Sequence, residues 1–280
     1  MAVTACSLLP ALAVKLWFGG MLVGVDIITA LMTVTVCDAV VQRRTLWRED
    51  LSSWVSAAII VLALPAGAPW YVNVFAIGLA LGLGKYAFGG QGQNVFNPAM
   101  VGYAAALVAF PWLFTFQALP IGPWDMDTAA LKFSGSSTVD AYTGATALEA
   151  ARHGSEHPAE GGPYQRWFAV AVGCGFAWLL MLKLIAWRTT AGFVVTLGVL
   201  GVLGDGLGLA QASWSAQMLN AGSILGATYV VTDPVTMPAR SGRQWAYGSL
   251  IALITMAIRW WGGYPDGLAF AVLLVNALIL

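Results

Sequence analysis

Apolar runs follow one another along almost the whole chain, at about residues 1–18, 21–41, 51–64, 71–88, 99–116, 167–186, 192–204, 218–231, 245–258 and 268–280. Runs of this kind cannot share one water-soluble core. Charged residues make up only 9% of the chain, against about 25% in a soluble domain, too few to coat a water-facing surface. Lipid must therefore be the solvent for most of the chain, and each run reads as a helix in or across a bilayer. The expected class is an all-α integral membrane protein with about ten transmembrane helices. Thirteen tryptophans and 32 glycines agree with it, since tryptophan favours the membrane–water interface and glycine is common in membrane helices. Several runs fall short of the roughly 20 residues that cross a bilayer alone. Those read as broken helices buried among neighbours. The first run lacks a basic flank and more runs follow it, so it reads as a retained helix, not a signal peptide.

Lysine and arginine set the expected orientation. Arg43, Arg44 and Arg48 stand between the second and third runs, Arg188 between the sixth and seventh, Arg240 and Arg243 between the eighth and ninth. With an even number of spans and both termini inside, all these loops are cytoplasmic. The polar segment 117–166, with Lys132, Arg152 and Arg166, then lies outside. Thirteen basic and thirteen acidic residues balance, and no basic patch points to nucleic acid. Cys6, Cys37 and Cys174 are dispersed in apolar stretches without a CxxC pair and read as small buried hydrophobes.

Ten runs divide into two sets of five that echo each other: residues 1–116 and 167–280, with 117–166 as an extracytoplasmic segment between them. Pro65-Ala66-Gly67-Ala68-Pro69 closes the short third run, and Pro234-Val235-Thr236-Met237-Pro238 the short eighth. Gly89-Gly90 and Asn97-Pro98 precede the fifth run, Gly262-Gly263 and Tyr264-Pro265 the tenth. An odd number of spans per set turns the second copy upside down. The expectation is two inverted five-helix repeats in the manner of urea transporters, with a central binding site near the short, interrupted spans.

The sharpest motif lies in the outer segment, from Asp140 through Ala141, Tyr142, Thr143, Gly144, Ala145, Thr146, Ala147 and Leu148 to Glu149. A hydroxyl beside Gly and Ala is open to a group-transferring enzyme, but Thr146 and Glu149 also have capping-box spacing. The loop from Gly89 to Gln93 and Asn94 is rich in glycine and side-chain amides, suited either to a close ligand or to a plain turn. It lacks the Lys-Ser/Thr ending of a phosphate loop. Intramembrane carboxylates are functional suspects. Asp26 and Asp205 read as solvated span ends, Asp38 as a partner of Arg43 and Arg44, and Asp233 stands at the break in the eighth span. His153 and His157 have metal-like spacing, but Gly154 and its neighbours argue for a solvated loop without a metal.

Four stretches together resemble the D subunit of the Rnf (Rsx) ion-translocating electron-transport complex. They are Leu16-Trp17-Phe18-Gly19, the stretch from Lys85 to Tyr103, Thr232-Asp233-Pro234-Val235-Thr236, and the stretch from Gly262 to Leu274. The related B subunit of the sodium-translocating NADH:quinone reductase shares this core, but usually has a longer N-terminal region. The resemblance implies a covalent FMN, joined by a phosphoester to Thr146, with Asp140, Thr143, Gly144 and Ala145 completing the attachment string and a flavin transferase as partner. It admits a second, non-covalent flavin such as riboflavin, with Gln93, Asn94, Asn97 and Asp233 as candidate residues for that flavin or an ion path. It implies membrane and peripheral partner subunits, Na+ or H+ as the moved ion, and a bacterial inner membrane. No NAD fingerprint and no cluster-binding cysteines stand on this chain, so it reads as an electron relay without a complete active site. A urea-transporter-type permease or channel is the rival expectation.

Overall fold

The computed structural model describes residues 1–42, 51–118, 124, 126–134, 144–145, 163–209, 214–264 and 266–279. They are helical almost throughout and form two compact units, Met1–Gly144 and Ala145–Leu280.

The first unit opens with α1, Ala2–Gln42. A straight helix of that length would extend about 60 Å, twice the bilayer core. It breaks at Gly20, where φ is 54° and ψ is −141°, a conformation closed to residues with a Cβ. The first two apolar runs are thus two helices that abut without a loop. Then come α2 (Ser52–Ala63), α3 (Trp70–Gly82) with a tight turn at Tyr86–Phe88, and α4 (Pro98–Ala109). Asn97 starts α4: its Oδ1 accepts from the Met100 amide at 3.2 Å, and Pro98 fills the first turn, the arrangement that Asn-Pro favours. A strand, Phe116–Ala118, pairs with Gly144–Ala145, and α5 (Met126–Ser134) lies between them in sequence.

Helix α1 packs on α2 and α3, and α3 on α4. In α2 the consecutive residues Ile59, Ile60, Val61 and Leu62 are all buried. Four adjacent positions cover the full circumference of a helix, so protein surrounds α2. At 12 residues it is about 18 Å long, too short to cross, and its last carbonyls end where no water reaches. Lys15 meets them: its Nζ donates to the carbonyls of Val61 (2.6 Å), Leu62 (3.2 Å) and Leu64 (2.5 Å).

The second unit contains α6 (Pro163–Met181), α7 (Trp187–Gly206), α8 (Trp214–Leu219), α9 (Ala221–Leu225), α10 (Ser241–Trp261) and α11 (Leu268–Ile279). Helices α7 and α10 touch backbone to backbone. A Cβ on Gly248 would sit 2.1 Å from the Thr189 carbonyl, and one on Gly192 2.5 Å from the Trp245 carbonyl. The eighth run is interrupted. Asn220 caps α9 by accepting from the Gly222 amide at 3.0 Å, and α9 then widens into a π-helical turn at Gly226–Val230. The Thr190 hydroxyl donates to the Ala227 carbonyl of that turn at 2.7 Å.

Large apolar side chains stand exposed at helical spacing, Ile28, Leu31, Met32 and Val36 along α1 and Val195, Val199 and Val202 along α7. Such stripes fit lipid and not water. Three stretches, Ala2–Val41, Trp70–Phe88 and Trp187–Gly206, are long and apolar enough to cross a bilayer. The chain is an integral membrane protein. The cysteine expectation needs correction: Cys6 and Cys174 are exposed and Cys37 is half-buried, because all three face outward from the packed helices.

Candidate functional site

Three groups of polar residues gather inside the units. The first surrounds Asp26, in the second segment of α1. Expected as a solvated span end, Asp26 is instead only 5% exposed. It forms an ion pair with Lys132 of α5, which is 1% exposed. Asn73 of α3 donates its side-chain nitrogen to the Asp26 carbonyl (2.8 Å) and to Thr29 Oγ1 (3.2 Å). Lys15 lies within electrostatic reach of both Asp26 and Lys132. Burial of an ion pair is tolerable only when further polar groups lie beside it, and here Lys15 of α1 and Asn73 of α3 do so. A solvated end was expected because a carboxylate reads as such when its partner is far along the chain.

The second group sits beside the glycine loop. Asp38 accepts from the Tyr86 and Ser53 hydroxyls, the latter at 3.0 Å; Arg43 and Arg44, its expected partners, lie outside the described residues. Lys85 donates to Ser53 Oγ at 2.6 Å. This network anchors the start of the loop, in which Gly89, Gly90 and Gly92 all have positive φ. Of the amides proposed to meet a ligand there, Gln93 is exposed. Asn94 is buried and donates to the Phe96 carbonyl at 3.0 Å, and Asn97 is the α4 cap. Both are occupied in holding the backbone.

In the second unit Asp233 accepts from the Val235 amide (3.1 Å) and the Thr236 hydroxyl (3.4 Å), closing the turn that carries the Pro234–Pro238 pair. The third group centres on Arg259, 3% exposed. It pairs with Asp266 at 3.0 Å and donates to Ser223 Oγ (2.9 Å) and the Gln217 carbonyl (3.3 Å). A buried basic side chain thus serves a short helical stretch in each unit, Lys15 in the first and Arg259 in the second. Asp205 is exposed at the end of α7 and accepts from the Trp214 amide at 2.8 Å, as expected of a helix end.

Of the attachment string, Gly144 and Ala145 form an extended strand, while Asp140, Thr143 and Thr146 lie outside the described residues, as do His153 and His157. Sequence reasoning missed Lys15, Lys132 and Arg259 as interior residues. A cation inside or beside an apolar run was the available signal, as strong as the carboxylates that were followed.

The family model described as NQR2, RnfD, RnfE matches residues 1–279. The chain belongs to the NQR2, RnfD, RnfE family. It is similar to the D subunit of the ion-translocating oxidoreductase complex of Actinobacillus succinogenes, 33% identical over 96% of this chain and 86% of the relative. The D subunits of the same complex in Alcanivorax borkumensis and Tolumonas auensis are 32% and 33% identical, over 96% and 100% of this chain and 84% and 90% of theirs. The family match therefore spans both helical units and includes residues 140–149.

Proposed function

We propose that this chain is the membrane electron-relay subunit of an ion-translocating oxidoreductase complex, with FMN attached to Thr146. The family match over residues 1–279 carries the reading, because it includes the string around Thr146, and the relatives' shared name supports a place in a multi-subunit complex. The residues fit a covalently held flavin phosphate. Gly144 and Ala145 are extended immediately before Thr146, and neither carries more than a methyl group. Thr146 supplies the hydroxyl that would hold the phosphate. FMN, when bound, supplies the redox centre. Covalent attachment keeps the group on an extracytoplasmic face from which a free cofactor would diffuse away.

The same reading includes ten crossings in two inverted five-helix repeats, with both termini cytoplasmic and residues 117–166 outside. Two short stretches, the helix α2 and the interrupted Asn220–Val230 segment, each followed by a Pro-x-x-x-Pro segment, support it. In-gel flavin fluorescence of the denatured chain tests the attachment, since only a covalent flavin survives denaturation. Thr146→Ala is expected to abolish the signal and Thr143→Ala to keep it. Fluorescence retained in Thr146→Ala would move the attachment elsewhere, and a colourless wild-type protein would favour a permease.

A further inference from the structure

The charges around Asp26 do more than hold helices together. Lys15 and Lys132 are both buried ammonium groups held by oxygen. Lys15 is held by three backbone carbonyls, and Lys132 by the Asp26 carboxylate. A buried ammonium has the charge of a dehydrated potassium ion and a similar size, so an ammonium paired with a buried carboxylate, as Lys132 is, is a tethered stand-in for a monovalent cation. The two differ in how they arrive. Lys15 belongs to the same helix as Asp26. Lys132 enters from α5, whose next residue, Phe133, is exposed and stacks on Trp70 with ring centroids 6.2 Å apart.

The oxygens beside Asp26 outnumber the donors. Thr29 Oγ1 donates to the Val25 and Asp26 carbonyls, at 2.9 and 3.0 Å, and keeps lone-pair capacity. Asn73 turns its nitrogen to the main-chain carbonyl of Asp26 and to Thr29 Oγ1, and its Oδ1, on a residue 1% exposed, makes no hydrogen bond among the described residues. A buried amide oxygen left in that state is costly, and a cation beside the carboxylate would satisfy it.

We propose that Asp26, Thr29 and Asn73 form an exchange site for one monovalent inorganic cation, with the Lys132 ammonium as its built-in competitor. One positive charge replaces another, so the buried charge stays constant; a divalent ion would leave an excess beside Lys15. The cation can take the carboxylate only when Lys132 withdraws, which lifts α5 from the first unit. The coupling is reciprocal: whatever holds α5 down weakens cation binding by the factor with which the cation loosens α5. The inference shares with the reading above only membership of an ion-translocating complex, and its test does not pass through a flavin.

Trypsin cleaves after lysine only in accessible, extended chain, so the peptide bond following Lys132 reports withdrawal. In the detergent-solubilised complex, replacing choline by sodium or thallous ion at constant ionic strength is expected to raise the yield of the fragment beginning at Phe133 at least five-fold. Asp26→Asn should cleave rapidly in every medium. Equal cleavage in choline and in all the inorganic cations would overturn the proposal, as would continued protection in Asp26→Asn. Equilibrium dialysis with thallous ion tests the site without proteolysis. Lys132→Met is expected to bind one ion that Lys132→Met/Asp26→Asn does not, and failure of the folded Lys132→Met chain to bind any refutes the site. In-gel flavin fluorescence is measured in parallel, so loss of flavin attachment is read separately from loss of cation exchange.

Discussion

Lys15 shows how much one side chain contributes where water is absent. In Lys15→Met, the carbonyls of Val61, Leu62 and Leu64 lose their donor, and stranding a buried acceptor costs about 1–3 kcal/mol. Partial relaxation leaves an expected loss of about 3 kcal/mol, measurable as a lowered unfolding midpoint in mixed micelles. An unchanged midpoint would mean that α2 finds other donors. Residue-scale features of local origin were legible beforehand: Asn97-Pro98 precedes a helix start, and the runs at 1–18 and 21–41 are separate helices, as expected. The Asp26–Lys132 pair was not, because its members stand 106 residues apart, and patterns along a chain speak only of neighbours. The attachment string was legible from resemblance alone, since Thr146 and Glu149 also satisfy a helix cap.

At the scale of the element, close contact between helices sets the tolerance for added atoms. Gly248 in α10 brings that helix against the Thr189 carbonyl of α7, and Gly102 in α4 lies equally close to the Ala76 carbonyl of α3, where a Cβ would approach to 2.2 Å. Gly248→Ala must push two backbones apart and is expected to cost about 1–3 kcal/mol. Gly173→Ala in α6, where a Cβ meets nothing within 4 Å, is expected to be neutral or to stabilise by up to about 1 kcal/mol, through helix propensity alone. Comparing the two variants in the same unfolding assay separates packing from propensity. Apolar periodicity placed the helices well but their ends poorly. The run expected at 192–204 is the helix Trp187–Gly206, and that at 245–258 is Ser241–Trp261. Polar ends such as Arg188 and Arg243 continue a helix beyond its apolar part, which hydropathy does not register.

For the whole molecule, the proposed arrangement predicts which face each loop presents. With the native cysteines replaced by serine, Ser155→Cys is expected to react with a membrane-impermeant maleimide on intact cells, and Thr45→Cys only after lysis. The reverse pattern would invert the topology and put the attachment segment on the wrong side. A complex also predicts company. Purification in mild detergent should co-isolate further membrane subunits and a peripheral redox subunit, whereas electron transfer by this chain alone would refute the assignment. The membrane class was legible from charge scarcity. The Asp26–Lys132 pair was not, because it depends on α5 of the polar segment packing on α1.

The contact between Lys15 and the end of α2 also bears on how the molecule is made. Lys15 leaves the ribosome 49 residues ahead of Leu64, which at about 5–20 residues per second is an interval of about 2–10 s. During that time the ammonium has none of its three carbonyls, and an unpartnered lysine within a membrane helix costs up to about 3 kcal/mol at the helix centre. The buried setting of Lys15 is therefore completed only once α2 has been made and packs on α1.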